Sequence, residues 1–496
     1  MITNNLEKRL KRQIIGKPHR FLAIAPLGFE QTLVRELQGF GLEFTDAQGA
    51  PAIAGDGKVE FTAKITEAWK AVAYSHIANR VLMHIADFKA ENFRDLEKKA
   101  AEIPWELYLN ERTLDNSLQT KDERLLNIHV TCKHSRLYHS DAIAERLNNV
   151  ITQFHMAQSE ASSKGEARPH TPPPQNLYVT LINDRCTIWL DLAGEELYKR
   201  GHERFVNDAP LKETIAAGML FEAIHLAQKQ EILRLQASPS AQDDTRERNQ
   251  TAPSHISHSA LNITLFDLMA GSGTFSLEAA YMANGLIPGK SRDFALKHQP
   301  AFKPATWNHI VKQERVILSE TPNGVESKNL ITRILTSDIS PKAVEIIKHN
   351  VESGPLADIV PNDASPTITP QLRDFFSYTA KEIADACSCN SNSGEASPVI
   401  VLNPPYGKRL DFDAPKLYTQ IGRRLAELSR DLTPFGKQLT VAILAPKDDN
   451  RPGSKYTCTA NLLHECPALA PQQNPVAKSI ATSHGGFSLN VFIAKI

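Results

Sequence analysis

From about residue 209 onward the chain alternates short β-branched runs with longer helical ones, and this rhythm restricts its folds more than any other feature. Strand candidates fall at residues 262–267, 331–337, 399–402 and 438–444, helix candidates at 274–284, 341–351 and 417–432, and a last apolar run at 487–494. Parallel strands need a crossover connection, and a helix is the compact one, so this pattern predicts a parallel sheet covered on both faces. Ligands of such sheets sit outside the carboxyl ends of the strands. The residues that follow each strand are therefore the ones to inspect.

Residues 21–200 read differently, as α+β. Helical spacing occupies 28–40, 67–84 and 141–154, and strand patterns occupy 59–61, 126–131, 177–182 and 186–192, the last pair around a turn at Asn183-Asp184-Arg185. A chain of 496 residues exceeds what one core supports, so two or more domains are expected. Polar stretches at 157–176, 236–259, 319–329 and 387–397 read as loops or insertions, because their composition cannot bury a core. The first 20 residues carry six Lys/Arg and one acid, Glu7, with no apolar segment or cleavage site. That composition suits a solvated extension or a basic arm on phosphates, and it argues against a secretory signal.

With 56 basic and 56 acidic residues the net charge is zero, so any nucleic-acid site must be a local patch. Six cysteines are too few for a disulfide framework, and Cys387 and Cys389 form a C-x-C that is not a zinc spacing. Reduced thiols, a cytoplasmic location, no membrane span and no metal site are the expectations.

Three motifs sit at predicted strand ends. Asp267-Leu-Met-Ala-Gly271-Ser-Gly273-Thr274 ends a strand and opens a helix. Its glycines let backbone approach a ligand, and the helix start presents free N–H groups. Ser276 stands where the dinucleotide fingerprint needs a third glycine, and no Gly-Lys-Ser/Thr follows, so a cofactor without phosphate fits best. Asp338 closes the next strand, where a carboxylate can take the hydroxyls of a ribose or cap the helix opening at Ser340-Pro341. Asn403-Pro404-Pro405-Tyr406-Gly407 follows the apolar strand 399–402. Its prolines supply no N–H and keep the backbone extended. The Asn403 side-chain oxygen and the Pro404 carbonyl are left as acceptors for one amine, with the Tyr406 ring to stack on a base.

On these motifs residues 192–496 resemble class I S-adenosylmethionine (SAM)-dependent methyltransferases of the N-P-P-Y type. With the N-terminal half, the chain resembles the THUMP-domain RNA guanine-N2 methyltransferases. Supporting runs are residues 21–30, Asp191-Leu-Ala-Gly194 with Tyr198-Lys-Arg-Gly201, and Ala209-Pro-Leu-Lys212-Glu213-Thr214. The resemblance implies a Rossmann-like methyltransferase domain at 205–496. Before it would come a basic extension (1–20), a ferredoxin-like subdomain (21–65) and a THUMP domain (66–195). It implies SAM as cofactor, with Asp267, Gly271 and Gly273 in its loop, Asp338 on the ribose and Asp374 on the adenine amine. Asn403, Pro404 and Tyr406 would be catalytic. The substrate implied is large-subunit (23S) ribosomal RNA before full assembly, with Lys199, Arg200 and Arg204 as plausible RNA surface. Longer relatives carry a second methyltransferase domain, which this chain is expected to lack. Alternatives stay open: a tRNA guanine-N2 enzyme, an adenine-N6 enzyme, or a non-catalytic assembly factor. The Lys199–Arg204 cluster equally suits a solvated linker.

Overall fold

The computed structural model describes residues 2–44, 55–110, 126–159, 173–207, 210–236, 262–312, 330–359, 366–388, 396–406, 413–449 and 457–496. The polar stretch 319–329 lies outside them, as do 237–259, 160–172, 389–395 and Gly407. The chain divides into two compact units. One holds residues 1–25, 33–201 and 287–316, the other 26–32, 202–286 and 317–496.

The first unit opens with α1 (Ile2–Leu10) and a π-helical turn, Lys11–Ile15. Leu10 and Ile14 are buried, and the Arg9 guanidinium pairs with Glu106 at 2.6 Å, so this basic segment is packed. Then follow β1 (Pro18–Ile24), α2 (Glu30–Gly39, in this unit from residue 33), β2 (Lys58–Lys64), α3 (Ile65–Tyr74) and β3 (Arg80–Lys89). The remaining elements are α4 (Phe93–Ala101), β4 (Leu126–Lys133), α5 (Ser140–Ser159), β5 (Gln175–Ile182) and β6 (Arg185–Asp191). The strands form one sheet in the order β2-β1-β3-β6-β5-β4, antiparallel except for the β4–β5 pair. Alternation directs Leu177, Val179, Ile188 and Leu190 into a core with Leu96 of α4 and Ile143 and Leu147 of α5.

The helical spacing over 67–84 predicts one helix, whereas the structure has a helix to Tyr74 and then a strand from Arg80. The helix stops at Tyr74 because the Ser75 hydroxyl accepts from the Ile77 and Ala78 N–H groups. Val81, Leu82 and Met83 belong to β3, between β1 and β6. The expected turn at Asn183-Asp184 is present, with positive φ of 51° and 61° at the two residues. The segment after the first glycine motif contributes a helix (Pro304–Lys312) with buried Trp307 to this unit. Its Ala295 and Leu296 N–H groups donate to the carbonyls of Ala193 and Leu192.

The second unit contains α6 (Glu213–Gln236), β7 (Ile263–Asp267), α7 (Thr274–Ala283), β8 (Ile331–Asp338), α8 (Pro341–Ser353) and β9 (Pro370–Leu372). It continues with α9 (Ala380–Ser388), β10 (Ser397–Leu402), α10 (Ala414–Leu432), β11 (Thr440–Pro446), α11 (Cys458–Glu465), β12 (Lys478–His484) and β13 (Phe487–Lys495). The sheet order is β12-β13-β11-β10-β7-β8-β9, with β13 antiparallel to both its neighbours and the pairs from β11 to β9 parallel. Central strands read as continuous apolar runs because both faces are covered. Val399, Ile400, Val401 and Leu402 have no exposed surface. Pro370, a poor strand former, sits in β9 at the sheet edge, where a missing N–H costs no interior ladder bond. Residues 26–32 belong here because Thr32 donates its hydroxyl to buried Glu222 at 2.6 Å, and the Lys478 ammonium reaches the same carboxylate at 2.7 Å.

Candidate active site at the strand ends

The chain folds away from β7 in opposite directions, through β8 on one side and β10 on the other, which makes the carboxyl ends of β7 and β10 a topological switch point. Asp267 is the last residue of β7, paired in register with Val401, and Asn403 begins just past the end of β10. Asp338 ends β8. Three residues far apart in sequence thus end up on one edge of one sheet.

Asp267 is fully buried. Its Oδ2 accepts the Ser276 hydroxyl at 2.7 Å and the Ser276 N–H at 3.1 Å, while Oδ1 has no partner among the described residues. Burial pushes its carboxyl up to about 7; the Ser276 bonds oppose this, and the nearby Asp338 charge adds to it. The Ser276 hydroxyl also meets that of Thr336 on β8 at 2.7 Å. Ser276, which stands out in the sequence only as the missing third glycine, anchors the acid.

Gly271 and Gly273 both take positive φ, 57° and 77°, a conformation costly for side chains with a Cβ. They differ in surroundings. A Cβ on Gly273 would lie 2.9 Å from Ile347 of α8, while one on Gly271 would meet no protein atom within 4 Å. The backbone at Gly271 therefore faces open space at the switch point. Asp338 accepts the Gly271 N–H through Oδ2 and the Ser340 N–H through Oδ1, each at 2.8 Å. The cap of α8 is Ser340 itself, whose hydroxyl accepts from Ala343. Asp338 thus ties the glycine loop to β8, and because a carboxylate oxygen has two lone pairs, each oxygen keeps one for a ligand. Asp374 is half-buried after β9 and accepts the Phe376 N–H at 3.0 Å.

The Asn403 Oδ1 is buried without a partner among the described residues, and Pro404 beside it is buried too. A buried amide oxygen left unpaired costs free energy, about 1–3 kcal/mol, so a donor that fits there is rewarded. The Tyr406 ring meets the half-exposed Phe487 ring edge-on at 5.9 Å, an aromatic neighbour 81 positions away that no local motif signals.

The basic cluster divides. Lys199 is exposed and paired with Glu195 at 3.0 Å. Arg200 is buried, donating to the carbonyls of Leu197 and His76. Arg204 is nearly buried, donating to Glu213, Ser272 and Thr274. The Arg200 and Arg204 guanidiniums, expected as RNA surface, serve internal carbonyls, hydroxyls and a carboxylate. Among the described residues no cluster of three or more His, Cys, Asp or Glu is placed to hold a metal, and no helix is long and apolar enough to cross a membrane.

Comparison with known proteins gives this geometry a context. Residues 255–365 match the family model UPF0020, described as an RMKL-like methyltransferase domain, and residues 20–82 match the RlmL ferredoxin-like domain. The fold is a Rossmann-like methyltransferase preceded by a ferredoxin-like region. The ribosomal RNA large subunit methyltransferase K/L of Allochromatium vinosum is 25% identical over 416 residues, which cover 82% of this chain and 46% of that protein. The chain therefore spans about half the length of the curated relatives it matches. A possible methylase from Clostridium difficile 630 superposes with a TM-score of 0.61 at 19% identity, over 96% of this chain and 98% of that one. SMU.472, a structure complexed with SAH, superposes with a TM-score of 0.59 at 19% identity, over the same shares of both chains. These likenesses point to S-adenosyl-L-methionine as the group to test against the loop at the switch point. The residues fit such a group: the Asp267 oxygen that has no partner among the described residues, the open space at Gly271, and the spare lone pairs of Asp338, which ends β8 and accepts the Gly271 N–H.

Proposed function

We propose that this chain methylates the exocyclic N2 amine of a guanosine in large-subunit ribosomal RNA, in the cytoplasm and before the subunit is fully assembled. The observation that carries the chemical part is the buried Asn403 Oδ1 beside Pro404, without a partner among the described residues and two residues beyond the strand position paired with Asp267. Asn403 and the Pro404 carbonyl would accept both amine hydrogens, holding the nitrogen and drawing its lone pair out of conjugation with the ring. Tyr406 would stack on the base face, a contact worth roughly 1–3 kcal/mol. The cofactor supplies an electrophilic methyl group on a sulfonium. Orientation is the main contribution asked of the protein, and it can reach about 7–11 kcal/mol. A strong general base is unnecessary, because the amine proton becomes acidic once the methyl is transferred. Asp267, Gly271 and Gly273 would form the cofactor loop, with Asp338 on the ribose and Asp374 on the adenine.

The choice of large-subunit ribosomal RNA is supported by the names of the relatives; that of guanine rests on the resemblance of the N-terminal half to the THUMP-domain guanine-N2 enzymes. Residues 66–195 we read as a THUMP domain that selects RNA, with Lys199 as a phosphate contact. The target base must leave its helix or start unpaired. Asn403→Ala tests the site: SAM affinity should stay within about twofold of wild type while methyl transfer is lost. Loss of SAM binding as severe as in a Gly271 variant would show that Asn403 faces the cofactor and not the base.

A further inference from the structure

We infer that Arg204 is a positioning residue for the cofactor loop, acting through Ser272 and Thr274; this rests on the reading of that loop as the SAM site. The loop has a particular need for such a residue. Gly271 and Gly273 sample positive and negative φ about equally, so local preference does not select the observed turn. The shape must be held from outside.

On one side the holding group is Asp338, on the Gly271 N–H. On the other it is the segment before α6. Arg204 Nη2 donates to the Ser272 carbonyl at 3.2 Å, the Ser272 hydroxyl at 3.3 Å and the Thr274 hydroxyl at 2.6 Å. Nη1 donates to Glu213, at the start of α6, at 2.6 Å. The next residue adds to the clasp. The Phe205 N–H donates to Asn350 Oδ1, and Asn350 Nδ2 donates to the Phe205 carbonyl, both at 2.9 Å, and to the Ser272 carbonyl at 3.4 Å. The Phe205 ring stacks on His349 of α8 with centroids 3.9 Å apart.

The forked guanidinium suits this task, because it can serve a carboxylate with one nitrogen and the loop with the other. Ser272 and Thr274 are themselves buried, so the clasp is shielded from water. Fixing a glycine turn in advance moves its ordering cost from binding to folding, which raises affinity without any contact to the ligand. Glu213 balances the charge, so Arg204 carries no free positive charge for a phosphate.

The test is a double-mutant cycle on the full chain, with Arg204→Met, Thr274→Val and the double variant, read as the calorimetric Kd for SAM. RNA affinity without SAM and the melting temperature are read beside it. Arg204→Met should weaken SAM binding about tenfold or more (1.4 kcal/mol per tenfold) and leave RNA affinity unchanged. The double variant should be no weaker than Arg204→Met alone. Arg204→Lys should recover part of the loss, and it replaces Met in the cycle if Arg204→Met does not fold. SAM affinity within twofold of wild type in the Arg204 variant, fully additive losses, or reduced RNA affinity with SAM binding intact would each overturn the inference. A wild-type chain that binds no SAM would overturn the reading of the site along with it.

Discussion

Gly271 and Gly273 share a left-handed backbone, yet alanine at the two positions should fail for different reasons. Gly271→Ala places its methyl where no protein atom lies within 4 Å, so its stability cost is the conformational one alone, about 1–2 kcal/mol. Gly273→Ala carries the same cost and also drives its methyl to 2.9 Å from the Ile347 side chain, which is fully buried on α8. Overpacking of that kind adds about 1–3 kcal/mol, for a total near 2–5 kcal/mol. The ligand response should run the other way relative to stability. At Gly271 the methyl enters the space assigned to the cofactor, so SAM affinity should fall at least roughly tenfold, about 1.4 kcal/mol, in a protein that is still well folded. Urea unfolding monitored by circular dichroism gives the stabilities, and calorimetry of SAM on the folded variants gives the affinities. A Gly271→Ala protein with wild-type SAM affinity would refute the placement of the cofactor at this loop. Equal stability losses at the two glycines would refute the packing argument.

Asp338→Ala should weaken SAM binding by about 1.5–3 kcal/mol, the range for hydrogen bonds to a charged acceptor, because it removes both the tether on Gly271 and the proposed ribose ligand; unchanged affinity in a folded variant would leave Asp338 a purely structural residue. The pH dependence follows from Asp267, whose carboxyl is raised from 3.8 to about 7 by burial. A raised carboxyl favours the protonated form in the fold, so its contribution to stability is full below the unfolded value near 3.8 and is lost as pH rises through about 7. A cationic cofactor nearby favours the carboxylate, so SAM affinity should fall up to tenfold per unit as pH drops below about 7 and level off above it. Asp267→Asn should remove this dependence, and a flat wild-type profile across that range would contradict it.

What the sequence made legible depended on whether the signal was local. Asp267, Asp338 and Asn403 could be placed at strand ends because each closes an apolar run. The glycines and prolines around them restrict backbone directly. β3 was hidden because Val81 and Ile77 continue the helical spacing of Trp69 and Val72, and the break rests on the Ser75 hydroxyl turning back on two N–H groups. The surroundings of Arg200 and Arg204 were not legible because charge in a sequence does not report burial; only the folded chain shows their N–H groups donating to carbonyls and to Glu213. Likewise, nothing local says that residues 287–312 belong with the first unit. Such choices depend on long-range partners.

The central claim is which atom of which nucleic acid receives the methyl group, and nucleoside mass spectrometry reads it directly. Naked large-subunit ribosomal RNA fragments, whole ribosomal subunits, tRNA and DNA would each be incubated with the full chain and isotope-labelled SAM, then digested to nucleosides. The account predicts label in N2-methylguanosine from the naked ribosomal RNA, with little from finished subunits. Label only in N6-methyladenosine, only in tRNA, or in no nucleoside would contradict it.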